Sequence, residues 1–262
     1  MILRRITANF RRQDWSAVVV ELVVVVLGVF IGLQASNWNE NRQTDAKAAD
    51  FTQRLKADLR EEAWGYAMNI GYFDQVLTNA RRAADAITGK TPLSREMLLI
   101  AAYRATQFNG NTRRRATYDE LISTGEIGLI HDAALRDLAM RVYTDPVIDQ
   151  ITQDGQHSEY RKEFRMAIPY DVQLALSDKC GDRVVPVGNY EDIAQVLDYP
   201  CATGLSPAAI EAADAALEKD PRIVPLLQLR IADIGTDLGN LTVYYANTIQ
   251  EPLRRLAKEK QQ

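Results

Sequence analysis

Histidine is nearly absent from this chain: 262 residues include only His131 and His157. A metal centre needs ligands at fixed spacing, and neither histidine stands in a His-Glu-x-x-His arrangement. Cysteine is equally scarce, since Cys180 and Cys201 are the only two and lie too far apart for Cys-x-x-Cys spacing. Glycine-rich loops of the Gly-x-Gly-x-x-Gly or Gly-x-x-x-x-Gly-Lys type are missing, so nucleotide phosphates have no cradle. A basic excess is missing too. Lys and Arg total 31 against 35 Asp and Glu, for a net charge of −4, and residues 1–40 hold four arginines against three carboxylates. The acidic surplus therefore lies in the remainder, which argues against a nucleic-acid partner. No convincing run of alternating apolar and polar residues marks a strand. These absences predict an all-α protein that is not an enzyme and carries no catalytic residue, cofactor or metal.

One long apolar run is present. Ala17 to Ala35 reads AVVVELVVVVLGVFIGLQA, with Glu21 its only ionisable residue, and it is long enough to cross a bilayer as a helix. Arg4, Arg5, Arg11 and Arg12 precede it, whereas Arg42 and Lys47 follow it. Arginine-rich flanks stay in the cytoplasm, and indoles such as Trp15 and Trp38 favour the two interfaces. The expected layout is a cytoplasmic tail at 1–14, a transmembrane helix at 15–38 and an extracytoplasmic domain at 39–262. In a bacterial cell this places the bulk of the chain in the periplasm, anchored to the inner membrane. Cleavage as a signal peptide is disfavoured, because Leu33-Gln34-Ala35 and Ala35-Ser36-Asn37 lack the small-residue cleavage pattern. No second span is expected: Met97 to Ala102 is too short, and the C-terminal helical stretch carries charges throughout.

The wheel of this span is uneven. At about 100° per residue, Gly28 and Gly32 lie about 20° to either side of Glu21. One face thus joins a carboxylic acid to a Gly-x-x-x-Gly pair, the small-residue pattern that lets membrane helices approach closely. Two readings follow. Glu21, Gly28 and Gly32 contact a membrane partner or a second copy, or Glu21 snorkels to the nearby cytoplasmic boundary.

Outside the span, one apolar stripe runs from Phe51 through Leu55, Leu59, Ala63, Tyr66, Ile70, Phe73, Leu77, Ala80 and Ala84 to Ile87 at helical period. No Pro or Gly falls between Asn37 and Asp50, so the membrane helix is expected to continue outward into this one. Gly65 and Gly71 weaken the helix by about 1 kcal/mol each, and Gly89 suits its C-terminal cap. Ser94 is expected to start a helix through Gln107, Thr117 to cap a brief helix ending at Gly125, and Asp132 to cap a third major helix reaching Ile151. Pro146 should kink that helix and Pro169 end it.

Residues 169–206 carry three prolines and both cysteines with little periodicity, predicting a long irregular loop with a short helix near Tyr190 to Leu197. Ser206-Pro207 and Asp220-Pro221 then open the last two helices, the final stripe ending at Leu253 and Leu256. Helices that each bury one face pack as an antiparallel bundle.

Candidate sites are few. In an oxidising periplasm Cys180 and Cys201 suit a disulfide that staples this loop; the alternative is two small core residues. Arg113-Arg114-Arg115 stands at the mouth of a helix and is open to three roles: an anion contact, a lipid-headgroup contact, or ion pairing with Glu61, Glu62 or Glu120. The Glu61/Glu62 pair otherwise reads as the wet face of a long helix. His131 reads as a surface residue beside the Asp132 cap, and His157 as part of a solvated face. Ser123-Thr124-Gly125 lacks a nearby histidine and reads as a helix end.

Gly28-x-x-x-Gly32-Leu33-Gln34 followed by Asn37-Trp38-Asn39-Glu40 resembles the anchor of a bacterial family of uncharacterised single-pass membrane proteins, which ends in a Gln-x-x-Asn-Trp-Asn-Glu-like sequence. Tyr118 to Gly125 is similar to that family's Tyr-x-x-Leu-x-x-x-Gly segment. The resemblance implies a membrane anchor and brings no activity with it. Physically, Gln34, Asn37, Trp38 and Asn39 set amide groups and an indole at the outer interface, where they can bind headgroups or bridge neighbouring helices. The expected function is that of an extracytoplasmic interaction or accessory protein, its partners being the lipid bilayer and a membrane protein or its own copy. The alternative is an extracytoplasmic sensor or carrier that binds a small anion near Arg113–Arg115.

Overall fold

Apolar residues spaced three and four apart recur through most of the chain, and the computed structural model answers with helices throughout. It describes residues 15–110 and 112–252, with only the backbone for 15–18. The expected tail at 1–14 and the stripe residues Leu253 and Leu256 lie outside the described residues. Among those described there is no strand. The chain divides into two compact units, Met1–Thr52 and Gln53–Gln262.

The first element, α1 (Trp15–Ile87), contributes to both units. Within the first unit its apolar stretch has a mean hydropathy of 2.3 and no buried part, so by length and composition it can cross a membrane. Within the second unit the same helix turns one face inward: Leu55, Leu59, Tyr66, Phe73 and Ala80 are buried.

The second unit is built by α2 (Arg95–Ala105), α3 (Ala116–Ser123), α4 (Ala133–Thr144), α5 (Val147–His157), α6 (Glu159–Ala167), α7 (Tyr170–Cys180), α8 (Pro207–Lys219) and α9 (Ile223–Tyr244). Short 3-10 turns occupy Ile127–Leu129 and Asp192–Gln195, and α9 passes into a π turn at Tyr245–Gln250. Helix α2 is the hub. It is buried from Leu98 to Ala105 and packs against α6, α7 and α8, while α9 packs against α5 and α6. Burial of this kind contributes about 25 cal/mol per Å² of apolar surface, which is what sustains short helices that would not persist alone.

Local chemistry explains the boundaries. Ser94, Asp132 and Ser206 accept hydrogen bonds from the third residue of their helices at 3.2, 3.0 and 3.2 Å. Gly89 and Gly125 end α1 and α3 at φ of 74° and 73°, where a side chain would be strained.

Four expectations change. The segment from Asp132 to Ile151 is two helices rather than one kinked helix: Asp145, which precedes Pro146, adopts ψ of 127°, and its carboxylate caps Val147 N–H at 2.9 Å. The stretch after Pro169 is not irregular throughout, because Val172, Leu176 and Cys180 recur every fourth residue and build the buried face of α7. Thr117 is not the cap of α3. That helix starts at Ala116, and Asp58 of α1 accepts the Thr117 N–H at 3.1 Å. The last helix opens two residues beyond Pro221, after a turn in which Asp220 accepts the Arg222 N–H at 2.9 Å.

Candidate functional sites

Within the span, Glu21, Gly28 and Gly32 lie on exposed helix surface, and a methyl group built at either glycine meets nothing within 4 Å. The notch beside Glu21 is thus open to a second helix. At the outer end, Gln34, Asn37, Trp38 and Asn39 are exposed, Trp38 with the Arg42 guanidinium 6.0 Å from its ring centre.

The arginine triplet has a different setting. The Arg113 side chain is 8 % exposed and donates to Glu62 through Nε, to Asp149 at 2.9 Å and to the Val142 carbonyl at 2.7 Å. Burial lowers its pKa, and the charge and hydrogen bond of Glu62 together with Tyr66 and Asp149 more than offset this, leaving the guanidinium above its ordinary value. Glu62 is itself 2 % exposed and also accepts the Arg114 N–H at 2.9 Å, so it does not belong to a wet face.

The Arg114 side chain pairs with Glu61 at 3.0 Å, and Arg115 with Asp119 at 2.9 Å. Arg54 pairs with Glu120 at 2.6 Å. The positive end of α3 is therefore met by Asp58 and Glu62 of α1, carboxylates of the same chain taking the place open to an external anion.

Cys180 and Cys201 form a disulfide with Cα atoms 5.5 Å apart. Arg104, which no motif in the sequence singles out, completes this corner. Although 4 % exposed, it donates to the carbonyls of Cys180 and Tyr199 at 3.2 and 3.0 Å, with the Tyr199 ring 4.6 Å away. Arg183 lies 3.7 Å from the same ring.

Gln75 fixes the rest of the loop. Its Nε2 donates to the Ile193 carbonyl, and its Oε1 accepts the N–H groups of Leu197 and Asp198, all at 2.8 Å. Gly71 has its reason here as well, since a Cβ would stand 2.3 Å from Cγ2 of Ile193. A buried glutamine and a glycine one turn apart on an apolar face were the available signal for this docking, but neither residue type announces its partner.

Among the described residues no group of His, Cys, Asp and Glu could hold a metal ion. His131 and His157 are exposed. Ser123 and Thr124 donate to the Glu120 carbonyl at 3.0 and 2.8 Å, which suits a helix end.

Clefts of contrasting charge open on the second unit. One of about 450 Å³ beside the disulfide is mainly apolar, with Arg82 and Asp198 paired at 3.6 Å. One of about 340 Å³ is acidic, bringing Asp154, Asp233 and Asp237 around the buried Arg230. The third, of about 720 Å³, lies between α2, α6 and α7. Comparison with protein-family models, curated proteins and solved structures finds no match.

Proposed function

We propose that this chain is a membrane-anchored interaction or accessory protein, acting through helix–helix contacts in the bilayer with a membrane protein or a second copy of itself. The observation that carries the reading is the Gly28/Gly32 notch beside Glu21, on a span that is exposed along its described length. Lipid fills such a notch poorly, whereas a second helix packs into it and offers the carboxylic acid a hydrogen-bond partner.

The arginines before the span favour a cytoplasmic N-terminus and a periplasmic helical domain at the bacterial inner membrane, and we read that domain as an antiparallel bundle. The Gln34, Asn37, Trp38 and Asn39 set extends the same contact surface to the outer interface. The resemblance to the anchored family supports this arrangement and supplies no catalytic step. The competing reading, a sensor or carrier holding an anion at Arg113–Arg115, is weakened because Glu61, Glu62, Asp119 and Asp149 already answer those cations.

Affinity purification from native membranes tests the proposal. Wild type should retain a specific protein or a second copy, Gly28→Leu should lose it, and Val26→Leu on the opposite face should keep it. Equal recovery with all three chains sinks the reading.

A further inference from the structure

The cleft between α2, α6 and α7 differs from the other two in its charge. Arg161 and Arg165 line it, and among the described residues its walls include no carboxylate. They stand one turn apart on α6, where side chains four residues apart face each other and like charges repel.

Each is also left without the partner such cations usually acquire: among the described residues neither forms an ion pair with a carboxylate. Arg161 spends one Nη1 donor on the Thr106 carbonyl at 2.8 Å and lies 4.8 Å from the Phe108 ring, which holds the guanidinium in place. Burial and then the neighbouring Arg165 push its pKa below the ordinary value. Asp182 is the nearby carboxylate that offsets this in part, but it is engaged by the Tyr72 hydroxyl at 2.9 Å.

The remaining walls are apolar and aromatic. Phe164 and Ile168 are buried, while Tyr170 is 74 % and Leu174 50 % exposed at the α7 side. Two large apolar side chains left in solvent beside two cations that form no ion pair among the described residues make a surface with both halves of a ligand's chemistry. The volume of about 720 Å³ is of the size that small organic ligands occupy.

We propose that this cleft binds a small organic anion with an apolar or aromatic body, its carboxylate or phosphate gripped between Arg161 and Arg165 and its body lying on Tyr170 and Leu174. A guanidinium fork matches the planar or tetrahedral oxygens of such a group, and bound charge relieves the repulsion within the pair. The inference goes beyond the anchor reading and does not depend on it, because every residue involved lies in the second unit.

The test uses the full chain in phosphatidylcholine nanodiscs, with isothermal titration of 3-phenylpropanoate, phenyl phosphate and the neutral 3-phenylpropanamide. At least one anion should bind saturably at one site and the amide should not. Arg165→Gln, at an exposed position, should weaken that binding by about ten-fold or more with an unchanged melting temperature. Arg114→Gln should leave it intact.

Repeating the titration with phosphatidylglycerol in the disc separates two sources of the same chemistry. Competition assigns the natural anion to a lipid headgroup, and its absence assigns it to a free solute. Absence of saturable binding by both anions overturns the proposal. So does equal affinity in wild type and Arg165→Gln, or binding of the amide as tight as that of the acid.

Discussion

Arg113–Arg115 and the pair Arg161/Arg165 belong to the same unit, and the chain treats them oppositely. Each member of the triplet meets a carboxylate, and Arg113 with Glu62 is withdrawn from water. The pair lines a cleft whose walls include no carboxylate among the described residues, with Arg165 exposed and Arg161 tied to a carbonyl oxygen. A run of adjacent cations is thus a poor guide to a binding site. Three consecutive arginines draw the eye in a sequence, yet here they fasten α1 to the start of α3. Two arginines separated by three residues attract no notice, yet they share a helix face and, among the described residues, neither forms an ion pair with a carboxylate.

The comparison breaks most readily at Arg113. Arg113→Ala leaves Glu62 buried without its guanidinium, and the expected loss is about 3–5 kcal/mol of unfolding free energy in a urea titration. A loss below about 1 kcal/mol would mean that the triplet is not structural and would reopen it as a ligand site.

Cys180→Ala with Cys201→Ala comes next. The bond closes a segment with a sequence separation of 21, and its removal should cost about 2–4 kcal/mol by thermal melting, the loop remaining docked through Gln75 and Arg104.

A smaller effect is expected at Glu96, a carboxylate answered by hydroxyl and amide donors rather than by arginine. Thr203 donates from N and Oγ1 to its Oε1 at 2.8 and 2.5 Å, and these bonds hold the Glu96 pKa below the ordinary glutamate value. A depressed carboxylate pKa stabilises the fold above the unfolded value, and that contribution fades as pH falls through the folded value. Wild type should therefore exceed Glu96→Gln by about 1 kcal/mol near pH 7, with the gap narrowing in acid. A gap independent of pH removes ionisation from the explanation.

The smallest change belongs to the cleft. Arg165→Gln relieves a like-charge neighbour and breaks no ion pair, so stability should stay within about 0.5 kcal/mol of wild type or rise slightly. A marked loss would show that Arg165 carries structure after all, and the contrast with the triplet would disappear.

Legibility in the amino-acid sequence falls as the range of the interaction grows. Helix starts at Ser94, Asp132 and Ser206 were readable because a cap bonds three residues ahead, as were the ends at Gly89 and Gly125. The inward stripe of α1 followed from periodicity alone. Helix α7 was missed because prolines and glycines around it suggested irregular chain, although Val172, Leu176 and Cys180 already had helical spacing. Among candidate sites, Glu21, Gly28 and Gly32 could be placed on one face without coordinates, since helix geometry fixes the angle between them. Pairing of the triplet with Glu61 and Glu62 was among the roles the sequence left open, but the roles of Gln75 and Arg104 could not be inferred, because each is decided by a partner between 76 and 123 positions away in the chain.

By itself the sequence determined the all-helical character, the single apolar span with its uneven wheel, the helix starts at Ser94, Asp132 and Ser206 and the ends at Gly89 and Gly125, because these depend on contacts within one or two turns. Tertiary structure alone decided which charges are satisfied. It set Glu62 and Asp58 at the mouth of α3, folded the Cys180–Cys201 segment onto Gly71 and Gln75, and left Arg161 and Arg165 facing a cleft without a carboxylate among the described residues. Electrostatic pairing acts through space, over a few ångströms, and separation along the chain carries no record of it.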